Sequence, residues 1–472
     1  MIRARFAPSP TGYLHIGSAR TFIFNWLYVR RNSGTMVLRI DDTDIDRNSQ
    51  TSLNSIYEGL NWLDLPWDEF YRQSERLDLH RQFAYDLLAK GLAYRDFTPA
   101  SGGEEKSQAE GQWLCNPEMR ALSEAESVRR AGNGEPFAIR FRVNREPGYE
   151  LTFDDAVYGK QAKLTNDVED FALLRSNGMP TYHLASCADD IDLKITHVIR
   201  GQDHLSNTFK HLLLFQAAGG SIPTFAHLPL LIAPDGAKLS KRKHGPVVSV
   251  MTYRDNGFLP SAYINFLCLL GWSPKDDREQ MSLEELTSAF SFEGVNRSNA
   301  VVNFSDADPI DPKALWLNAQ HLRSISVEKL VPLVRRTLED HHLQPFGDEA
   351  FFTRVVDTIR TRFSTLLDFP LKGRAYFADD FPIEAQALTK LDVPGARELL
   401  HELADRLEAN PEFSEASVES ELRKLGEERG VKAGVLINAS RAALTGQSVG
   451  PSAFAVFACM GRERTLARLR KV

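Results

Sequence analysis

The first fifty residues follow a pattern of apolar and polar positions that predicts a strand, a helix and a second strand. Residues 2–7 (IRARFA) alternate apolar and basic side chains, as a half-buried strand does. From about Ser18 to Arg31 the apolar positions recur at intervals of three and four, which predicts a helix that stops at Ser33-Gly34. Residues 36–40 (MVLRI) predict the next strand. Together these elements predict a βαβ unit, which binds ligands at the C-terminal ends of its parallel strands.

Further along the chain, the same pattern predicts a change from mixed structure to helices. Residues 51–97 predict a helix, a turn, a second helix and a short strand, and residues 137–143 (FAIRFRV) predict a strand. Between them, residues 98–113 are rich in Gly, Ser and Glu and predict an exposed loop. The apolar run at 227–233 (HLPLLIA) predicts another strand, and after about residue 321 the spacing is helical.

Composition is that of a soluble globular protein. The 472 residues are enough for about three domains. A hydrophobic content of 43% with 25% charged residues excludes a wholly disordered, collagen-like or fibrous chain. No apolar run approaches the ~20 residues of a membrane span, so we expect no membrane association. The first ten residues contain no apolar secretory segment.

Cysteine content and net charge narrow the possibilities further. The four cysteines (Cys115, Cys187, Cys268 and Cys459) have no C-x-x-C spacing, which supports neither a disulfide framework nor a cysteine-based zinc site. We therefore expect a cytoplasmic chain with reduced thiols. The net charge of −7 argues against a non-specific nucleic-acid binder, but it leaves room for a local basic face that binds RNA.

The loop at residues 8–18 (PSPTGYLHIGS) lies where a βαβ unit binds its ligand. Gly12 and Gly17 permit close approach of a ligand to the backbone, and the helix N-terminus offers N–H groups to a phosphate. His15 stands just before the helix, where a ring nitrogen can donate to a phosphate or a nucleotide. The alternative is an ordinary βα loop in which His15 has only a capping role.

A basic cluster follows the predicted strand at 227–233. Residues 235–245 (DGAKLSKRKHG) hold Lys238 and Lys241 in a predicted loop. Lysine is a compact, mobile cation that suits charge moving from a triphosphate to a departing pyrophosphate. Alone, such a cluster is more typical of a solvated basic loop. Its combination with the upstream His15 favours a nucleotide site.

Five segments in order resemble the glutamyl-tRNA synthetases, a branch of the class I aminoacyl-tRNA synthetases, in their bacterial type. They are 5–21 (RFAPSPTGYLHIGSART), 38–47 (LRIDDTDIDR), 178–186 (GMPTYHLAS), 196–208 (THVIRGQDHLSNT) and 235–245, and the resemblance continues through 253–272 and 441–451. The segment similar to the HIGH motif comprises Pro8, Ser9, Pro10, Thr11, Gly12, Tyr13, Leu14, His15, Ile16, Gly17 and Ser18. The segment similar to the KMSKS motif comprises Lys238, Leu239, Ser240, Lys241 and Arg242.

The resemblance implies an α/β fold. A class I nucleotide-binding, Rossmann-like domain would carry an inserted α+β acceptor-binding domain and be followed by C-terminal all-α anticodon-binding domains. The expected divisions are the catalytic domain in two halves, 1–91 and 179–243, the inserted acceptor-stem-binding domain 92–178, a stem-contact domain 244–320, and two helical anticodon-binding domains, 321–375 and 376–472.

The resemblance also implies a reaction. L-glutamate would be activated by ATP to glutamyl-adenylate and then transferred to the 3′-terminal adenosine of tRNA(Glu). Activation is an in-line displacement at phosphorus, which needs alignment and charge stabilisation more than a protein nucleophile. Mg²⁺ is expected with ATP, held through the phosphates and water, and no zinc is expected. The expected catalytic residues are His15, Lys238 and Lys241, and the expected ATP-binding residues are His15, Gly17, Asp203 and Lys241.

A glutamate pocket must recognise two carboxylates and one ammonium. Guanidinium groups match carboxylates, and Arg5 and Arg200 both lie at predicted strand ends facing one crevice. By resemblance both contact the substrate, and one of them holds the γ-carboxylate. The resemblance adds Ser9, Asp41 and Tyr182 to the pocket. For Arg5 the alternative is a salt bridge to the acidic cluster at 41–44, and for Tyr182 it is core packing.

Asp41 and Gln202 are among the positions that depart from the family pattern. Asp41 replaces a glutamate that lies near the substrate amino group, and its shorter side chain leaves room for a bridging water. Gln202 stands where the family usually has glutamate. Asp42 and Asp44 are interpreted as caps or structural pairs rather than metal ligands.

RNA contacts are expected in the helical C-terminal part. Arg360 and Arg362 are candidates for reading the anticodon, and core packing explains the neighbouring Phe363 equally well. The final segment, 461–472, predicts a basic amphipathic helix, which we interpret as a solvated terminal helix in preference to an RNA-contacting one. The expected partners are tRNA(Glu), with tRNA(Gln) left open, L-glutamate and ATP, and the expected state is a monomer.

Three other functions compete with the ligase. A small-molecule adenylyltransferase of the same fold would not need the roughly 230 residues after the KLSKR segment. A paralog that attaches glutamate to a modified tRNA base usually lacks the anticodon domains. A non-catalytic tRNA-binding paralog would typically lack His15 or the KLSKR lysines, and this chain has both.

Overall fold

The computed structural model describes residues 1–43, 49–99, 115–305 and 308–472, and at positions 241, 242 and 246 only the backbone. Asp44 and most of the predicted loop at 98–113 lie outside the described residues. The chain divides into two compact units. The first comprises Met1–Thr252 and Ile264–Asp311, and the second comprises Tyr253–Tyr263 and Pro312–Val472.

All strands of the described residues belong to the first unit. They are β1 (Arg3–Phe6), β2 (Thr35–Ile40), β3 (Glu69–Arg72), β4 (Ala93–Asp96), β5 (Ala138–Phe141), β6 (Glu150–Asp155), β7 (Gly159–Leu164), β8 (Ala172–Leu174), β9 (His197–Gly201), β10 (Thr224–Leu228), β11 (Leu231–Ile232) and β12 (Ala300–Val301).

Helices occur along the whole described chain. They are α1 (Ile16–Arg31), α2 (Gln50–Leu63), α3 (Leu77–Ala89), α4 (Pro117–Arg120), α5 (Glu124–Gly132), α6 (Tyr182–Asp192), α7 (Asn207–Ala218), α8 (Lys241–His244), α9 (Val250–Asp255), α10 (Pro260–Leu269), α11 (Leu283–Ala289), α12 (Pro312–Ser324), α13 (Val327–Asp340), α14 (Glu349–Ile359), α15 (Asp368–Leu371), α16 (Ala385–Leu391), α17 (Ala396–Ala409), α18 (Glu415–Glu428), α19 (Ala433–Thr445), α20 (Ala453–Met460) and α21 (Arg462–Lys471).

The predicted βαβ unit is confirmed. Strand β1 pairs in parallel with β2, with Arg5 opposite Val37, and α1 connects them. The helix begins at Ile16, two residues before the predicted start, because the His15 side chain caps it. Its apolar side packs into the core, where each buried large side chain contributes about 1.5–3 kcal/mol.

The main sheet, within the described residues, has the strand order β3-β2-β1-β9-β10-β6-β7. All neighbouring pairs are parallel except the β6–β7 hairpin. Residues 150–164, which the sequence grouped with the inserted domain, therefore extend this sheet beside β10. A separate antiparallel sheet, β4-β5-β8, occupies the remainder of the same stretch. The expected domain boundaries stay predictions.

The apolar run at 227–233 forms two strands instead of the predicted single one. Strand β10 ends at Leu228, and β11 starts at Leu231 and pairs with β12 in another sheet. The Pro229 carbonyl between them accepts a hydrogen bond from the buried Arg20 guanidinium. The break redirects the chain toward the KLSKR segment.

The second unit is helical in its described residues, and its apolar side chains form one core. Phe363 belongs to this core and packs edge-on against Phe369. Arg360 and Arg362, expected in the helical C-terminal part, lie just after a helix: α14 ends at Ile359, and residues 360–362 form one 3₁₀ turn.

The interpretation of the terminal helix as solvated is wrong for one of its faces. In α21 the Arg468 side chain is 7% exposed, and it donates to the carbonyls of Ala375 and Ala378 and to the carboxylate of Asp379. Arg464 also donates to the carbonyl of Ala375. In the part of the chain that the structure describes, no helix combines the length and apolar character needed to cross a bilayer.

Candidate active site

A cavity of about 530 Å³ opens at the C-terminal ends of the parallel strands β1, β2 and β9. It collects side chains from two separate stretches of the chain, 5–56 and 182–240. The predicted site residues that line it are Arg5, Ser9, His15, Gly17, Asp41, Tyr182, Arg200, Asp203 and Lys238. The sheet topology explains this grouping, since parallel strands end at the same edge and bring their following loops together.

The loop before α1 forms one wall of the cavity. Gly12 has a φ of 145°, a backbone conformation that residues with a side chain rarely adopt. At Gly17 a Cβ atom would lie 3.3 Å from the His15 ring, so the absence of a side chain permits the close turn. Every member of the HIGH-like segment except Pro10 and Ile16 lines the cavity.

His15 uses one ring nitrogen to cap α1. Its Nδ1 accepts a hydrogen bond of 3.0 Å from the Gly17 N–H. In a neutral imidazole an accepting Nδ1 leaves the proton on Nε2, which is then a donor. From the sequence, capping and ligand binding are alternatives for His15. In the structure the two roles are compatible, because the cap leaves the proton on Nε2, which can donate it to a phosphate or nucleotide acceptor.

The KLSKR segment contributes the opposite wall. Lys238, Leu239 and Ser240 line the cavity. The Lys238 ammonium lies 2.7 Å from the Asp203 carboxylate, and both side chains are about half exposed. The backbone of Lys241 begins the short helix α8 and does not lie in the predicted loop, while the side chains of Lys241 and Arg242 lie outside the described residues.

Arg5 is held by a buried carboxylate that the sequence analysis did not identify. Its Nε donates to Asp190 at 3.1 Å, and both side chains are buried. The predicted alternative, a salt bridge from Arg5 to the acidic cluster at 41–44, is not formed by its described members. Arg39 instead pairs with Asp41 at 2.7 Å and with Asp190 at 2.7 Å. Arg39 therefore links Asp41, which lines the cavity, to the buried Asp190, and it also lies 3.7 Å from Asp189.

Burial changes the pKa of Asp41. Removal from water raises the pKa of this carboxyl to about 6, although the neighbouring Arg39 opposes the shift. Asp42 accepts hydrogen bonds from the backbone and hydroxyl of Ser74, which fits the structural role expected from the sequence.

Arg200 differs from Arg5 because no carboxylate lies within ion-pairing distance of it among the described residues. Its five N–H donors all meet neutral acceptors, and burial lowers the pKa of its guanidinium. The shortest contact is 2.8 Å, to the Thr208 hydroxyl, and the contact to the Tyr182 hydroxyl is 3.1 Å. The remaining acceptors are the His227 Nε2, the His211 Nδ1 and the His204 carbonyl.

Four imidazoles surround this guanidinium, and all are neutral at pH 7. Burial, reinforced by the charge of Arg200, lowers the pKa of His204 to about 4. Burial and the nearby Lys210 and Arg200 charges lower the pKa of His183 to about 3, and burial likewise lowers the pKa values of His211 and His227. Arg200 therefore presents to the cavity a buried positive charge with no carboxylate partner among the described residues, which is suited to an anionic group of a ligand.

Tyr182 occupies the first position of α6, between the arginine and an imidazole. Its hydroxyl is 3.1 Å from the Arg200 Nη1 and 3.2 Å from the His204 Nδ1. The residue is partly exposed toward the cavity, so the predicted alternative of core packing does not describe it. Gln202 lies outside the cavity lining, where it donates to Asn299 at 2.8 Å and contacts the Tyr158 hydroxyl.

No cluster of three or more His, Cys, Asp or Glu side chains is arranged to hold a metal ion in residues 1–43, 49–99, 115–305 and 308–472. Of the four cysteines, Cys115 is partly exposed and the other three are buried as separate thiols.

Comparison with known protein families matches the two ends of the chain to different families. Residues 1–308 match the family described as tRNA synthetases class I (E and Q), catalytic domain. Residues 328–472 match the family described as anticodon binding domain.

Individual relatives match along the whole chain. It is 54% identical to a protein named glutamate–tRNA ligase from Solibacter usitatus, across 99% of this chain and 98% of the relative. It is 44% identical to a protein named glutamate–tRNA ligase 2 from Koribacter versatilis, across 100% of this chain and 97% of the relative. Among solved structures, it is similar to a glutamate tRNA ligase from Elizabethkingia meningosepticum in complex with its amino acid, with a TM-score of 0.85, 31% identity, and coverage of 100% and 98%.

Proposed function

The chain belongs to the glutamate–tRNA ligases of the class I aminoacyl-tRNA synthetases, and from this premise we propose that its 530 Å³ cavity holds ATP and L-glutamate side by side. The family reaction joins glutamate to AMP and then transfers the glutamyl group to tRNA. The glutamate α-carboxylate attacks the α-phosphorus of ATP and pyrophosphate leaves. The protein's task in this step is to align the two substrates and stabilise the phosphate charge.

ATP is assigned to the side of the cavity formed by the HIGH-like and KLSKR segments. The Nε2–H of His15 and the N-terminus of α1 offer donors to phosphate oxygens. Lys238 is the described cation on the facing wall, and Asp203 holds it there. Lys241 keeps the role expected from the sequence, which is to follow the charge onto the departing pyrophosphate. Mg²⁺ is expected to arrive with ATP, bound through the phosphates and water.

Glutamate is assigned to the side formed by β1, β9 and α6. The observation that supports this most directly is Arg200, a buried guanidinium whose partners among the described residues are all neutral. A γ-carboxylate replaces the longer contacts to Tyr182 and His211 with charge-assisted hydrogen bonds. The amide of glutamine gives the guanidinium no counterion, so glutamine is rejected.

The remaining pocket residues are assigned to the other end of the amino acid. Asp41 supplies a carboxylate for the α-ammonium, either directly or through a water, and Ser9 lies on the same rim. Arg5 is anchored through its Nε, and among the described residues no acceptor engages its two Nη nitrogens. Arg5 therefore directs these donors at a substrate carboxylate.

The experiment that tests this assignment compares glutamate with glutamine in ATP–pyrophosphate exchange, with and without tRNA. Arg200→Ala is expected to lower the ratio of kcat/KM for glutamate over glutamine by at least about a hundredfold, because the buried charge that distinguishes them is gone. Arg30→Ala serves as the control, since Arg30 pairs with Asp68 at the surface and lies outside the cavity lining. An unchanged ratio in Arg200→Ala would show that another residue recognises the γ-carboxylate.

The tRNA partner is assigned by the family and by the anticodon-binding match at 328–472. Aminoacylation of purified tRNA(Glu) and tRNA(Gln) side by side tests which of them is charged. Arg362 is exposed and stays a candidate for anticodon contact, whereas Arg360 already pairs with Asp357 and donates to the Ile325 carbonyl. The cytoplasmic location and monomeric state stay predictions from the sequence.

A further inference from the structure

Three neighbouring strands of the main sheet each place one polar side chain in a row. Arg200 lies on β9, His227 on β10 and Asp155 at the end of β6. Arg200 and His227 are register partners in the parallel β9–β10 ladder, and Asp155 pairs with Phe225 on the same β10 strand. The row runs from the cavity into the interior, since Arg200 lines the cavity and the side chains of His227 and Asp155 are fully buried.

The hydrogen bonds along the row have a fixed direction. The Arg200 Nε lies 3.1 Å from the His227 Nε2, and the His227 Nδ1 lies 2.6 Å from an Asp155 carboxylate oxygen. A guanidinium only donates and a carboxylate only accepts. His227 must therefore accept at Nε2 and donate at Nδ1, which fixes its tautomer as the Nδ1–H form.

The carboxylate at the end of the row is itself immobilised. The other Asp155 oxygen accepts backbone hydrogen bonds of 3.0 Å from Val157, 2.9 Å from Tyr158 and 3.3 Å from His227. Burial alone would raise the pKa of Asp155, but the His227 hydrogen bond and these N–H donors outweigh it and lower the pKa. The carboxylate therefore stays ionised and keeps the imidazole in place.

Aromatic rings enclose the row on the protein side. The His227 ring is stacked on Phe225 with centroids 6.3 Å apart, and Phe153 lies 6.5 Å away. The Arg200 guanidinium lies over the Phe225 ring at 5.7 Å. Phe225 lies against both groups, so hydrogen bonds set the rotation of the guanidinium: His227 accepts at Nε, and Thr208 and the His204 carbonyl accept at Nη2.

We propose that Asp155 and His227 are positioning residues that set the rotation of the Arg200 guanidinium and so determine selection of glutamate over glutamine. This inference rests on the assignment of Arg200 to the γ-carboxylate. With its Nε held by His227, the guanidinium presents its Nη nitrogens to the cavity at one angle. The imidazole, being neutral, positions the guanidinium without cancelling its charge, as a carboxylate in the same place would do.

Two substitutions at position 227 separate positioning from packing. In His227→Gln the amide oxygen can reach the place of Nε2 and accept from Arg200, but the link to Asp155 is lost. In His227→Asn the shorter amide keeps the donor to Asp155 and loses the acceptor for Arg200. Both variants remove ring volume from the same buried site, so a purely structural role predicts similar losses in thermal stability and an unchanged choice of amino acid in both.

The measurement is ATP–pyrophosphate exchange with glutamate and with glutamine, together with the KM for ATP. His227→Asn is expected to raise the KM for glutamate by about tenfold or more and to lower the glutamate-to-glutamine ratio by a similar factor, because a misoriented guanidinium loses its alignment. His227→Gln is expected to keep both within about threefold of wild type, and the KM for ATP is expected to stay unchanged in both. The control is His197→Asn on β9, where His197 contacts Tyr28 and lies outside the cavity lining.

Asp155→Asn gives an independent test through the tautomer. The backbone donors hold the amide oxygen at their own position, so the amide NH₂ faces His227 and donates to Nδ1. The proton then moves to Nε2, where it opposes the Arg200 N–H, and ¹⁵N spectra of labelled histidine report the change. The inference would be overturned if His227→Asn and Asp155→Asn both kept wild-type selectivity while Arg200→Ala lost it. If Arg200→Ala kept selectivity, the proposed function of Arg200 itself would fail.

Discussion

The ammonium of Lys238 lies 2.7 Å from the carboxylate of Asp203, across the cavity edge that His15 also lines. The two side chains are 57% and 41% exposed, so the pair contributes about 0–1 kcal/mol to folding stability. Because this ion pair is weak, the phosphates of ATP can compete with Asp203 for the Lys238 ammonium.

Substitutions on the two sides of this pair should act differently on ATP. Lys238→Ala removes a cation from the phosphate side and is expected to raise the KM for ATP by about tenfold. Asp203→Asn leaves the cation and removes the charge of its partner. If Asp203 acts on ATP only through Lys238, and not as the direct ATP ligand expected from the sequence, the KM for ATP should stay within about twofold of wild type. Steady-state pyrophosphate exchange at varied ATP gives both values. Equal increases in the two variants would mean that the ion pair itself, and not the lysine, binds ATP.

Lys241 is expected to act on the rate rather than on binding. Removing one cation that stabilises transition-state charge typically costs about 10²–10³ in rate, so Lys241→Ala should lower the rate of glutamate activation by that order. The KM for glutamate should change little, because glutamate is assigned to the opposite side of the cavity. Single-turnover activation with glutamate measures the effect, and wild-type activation in this variant would show that the lysine has no such role.

Local parts of the fold and site could be predicted from the sequence. The loop at 8–18 and helix α1 depend on neighbouring residues, and their strand–helix–strand order brings His15 to the cavity. The residues that hold Arg5 and Arg200 in position could not be predicted in this way. Asp190 meets Arg5 across 185 positions, and Asp155 meets His227 across 72.

The pattern of apolar and polar positions also gives no indication that some carboxylates are buried. Asp189 and Asp190 are adjacent acids on α6, which alone would suggest a surface position. They are buried because Arg5, Arg39 and Arg76 reach them from other segments. Position 155 falls within the predicted inserted domain, and the sequence gives no sign that it pairs with β10, which lies about 70 positions further along the chain.

Asp41 predicts a pH dependence for glutamate binding. Because the pKa of Asp41 is raised to about 6, its carboxylate is charged above that pH and neutral below it. Capture of the α-ammonium should weaken as pH falls, and kcat/KM for glutamate should drop by nearly tenfold per unit below about pH 6. His204 and His183 stay neutral in this range, since their pKa values are lowered to about 4 and about 3.

The matched variant for this pH effect is Asp41→Asn. Its kcat/KM for glutamate should be low at neutral pH. A profile measured from pH 5 to pH 8 should show no inflection near pH 6. Asp41→Glu should keep an inflection, because a carboxylate remains. An inflection near pH 6 that persists in Asp41→Asn would assign the titration to another group.

Asp189 should be a major source of stability in the first unit. It is fully buried and accepts hydrogen bonds from Gln73, Arg76 and His80. Asp189→Asn removes the buried negative charge that pairs with these donors, and it is expected to lower the free energy of unfolding by about 3–5 kcal/mol. Asp192→Asn is the control, since Asp192 contacts the same Arg76 but is half exposed, and it should cost about 0–1 kcal/mol.

The same carboxylate should contribute to acid sensitivity. Burial would raise the pKa of Asp189, but the hydrogen bond from His80 and the charge of Arg39 outweigh it and lower the pKa to about 2. A lowered folded-state pKa gives stability that is complete above the unfolded value of about 3.9 and disappears as pH falls through about 2. Wild type should lose roughly 2 kcal/mol more than Asp189→Asn over this interval, as measured by denaturant unfolding at each pH.

The terminal helix α21 should stabilise the second unit through Arg468. Its guanidinium donates to the carbonyls of Ala378 and Leu444, and Arg468→Met would leave both without this donor. The Ala375 carbonyl would keep its hydrogen bond from Arg464. The expected loss is about 2–4 kcal/mol, measured by amide hydrogen exchange in peptides from 375–472 so that unfolding of the first unit does not obscure it. Arg470→Ala removes exposed pairs with Asp405 and Glu408 and should leave the exchange protection of these peptides close to that of wild type. Equal protection in the two variants would restore the interpretation of α21 as a solvated helix, and weaker tRNA binding by Arg470→Ala alone would instead favour direct RNA contact.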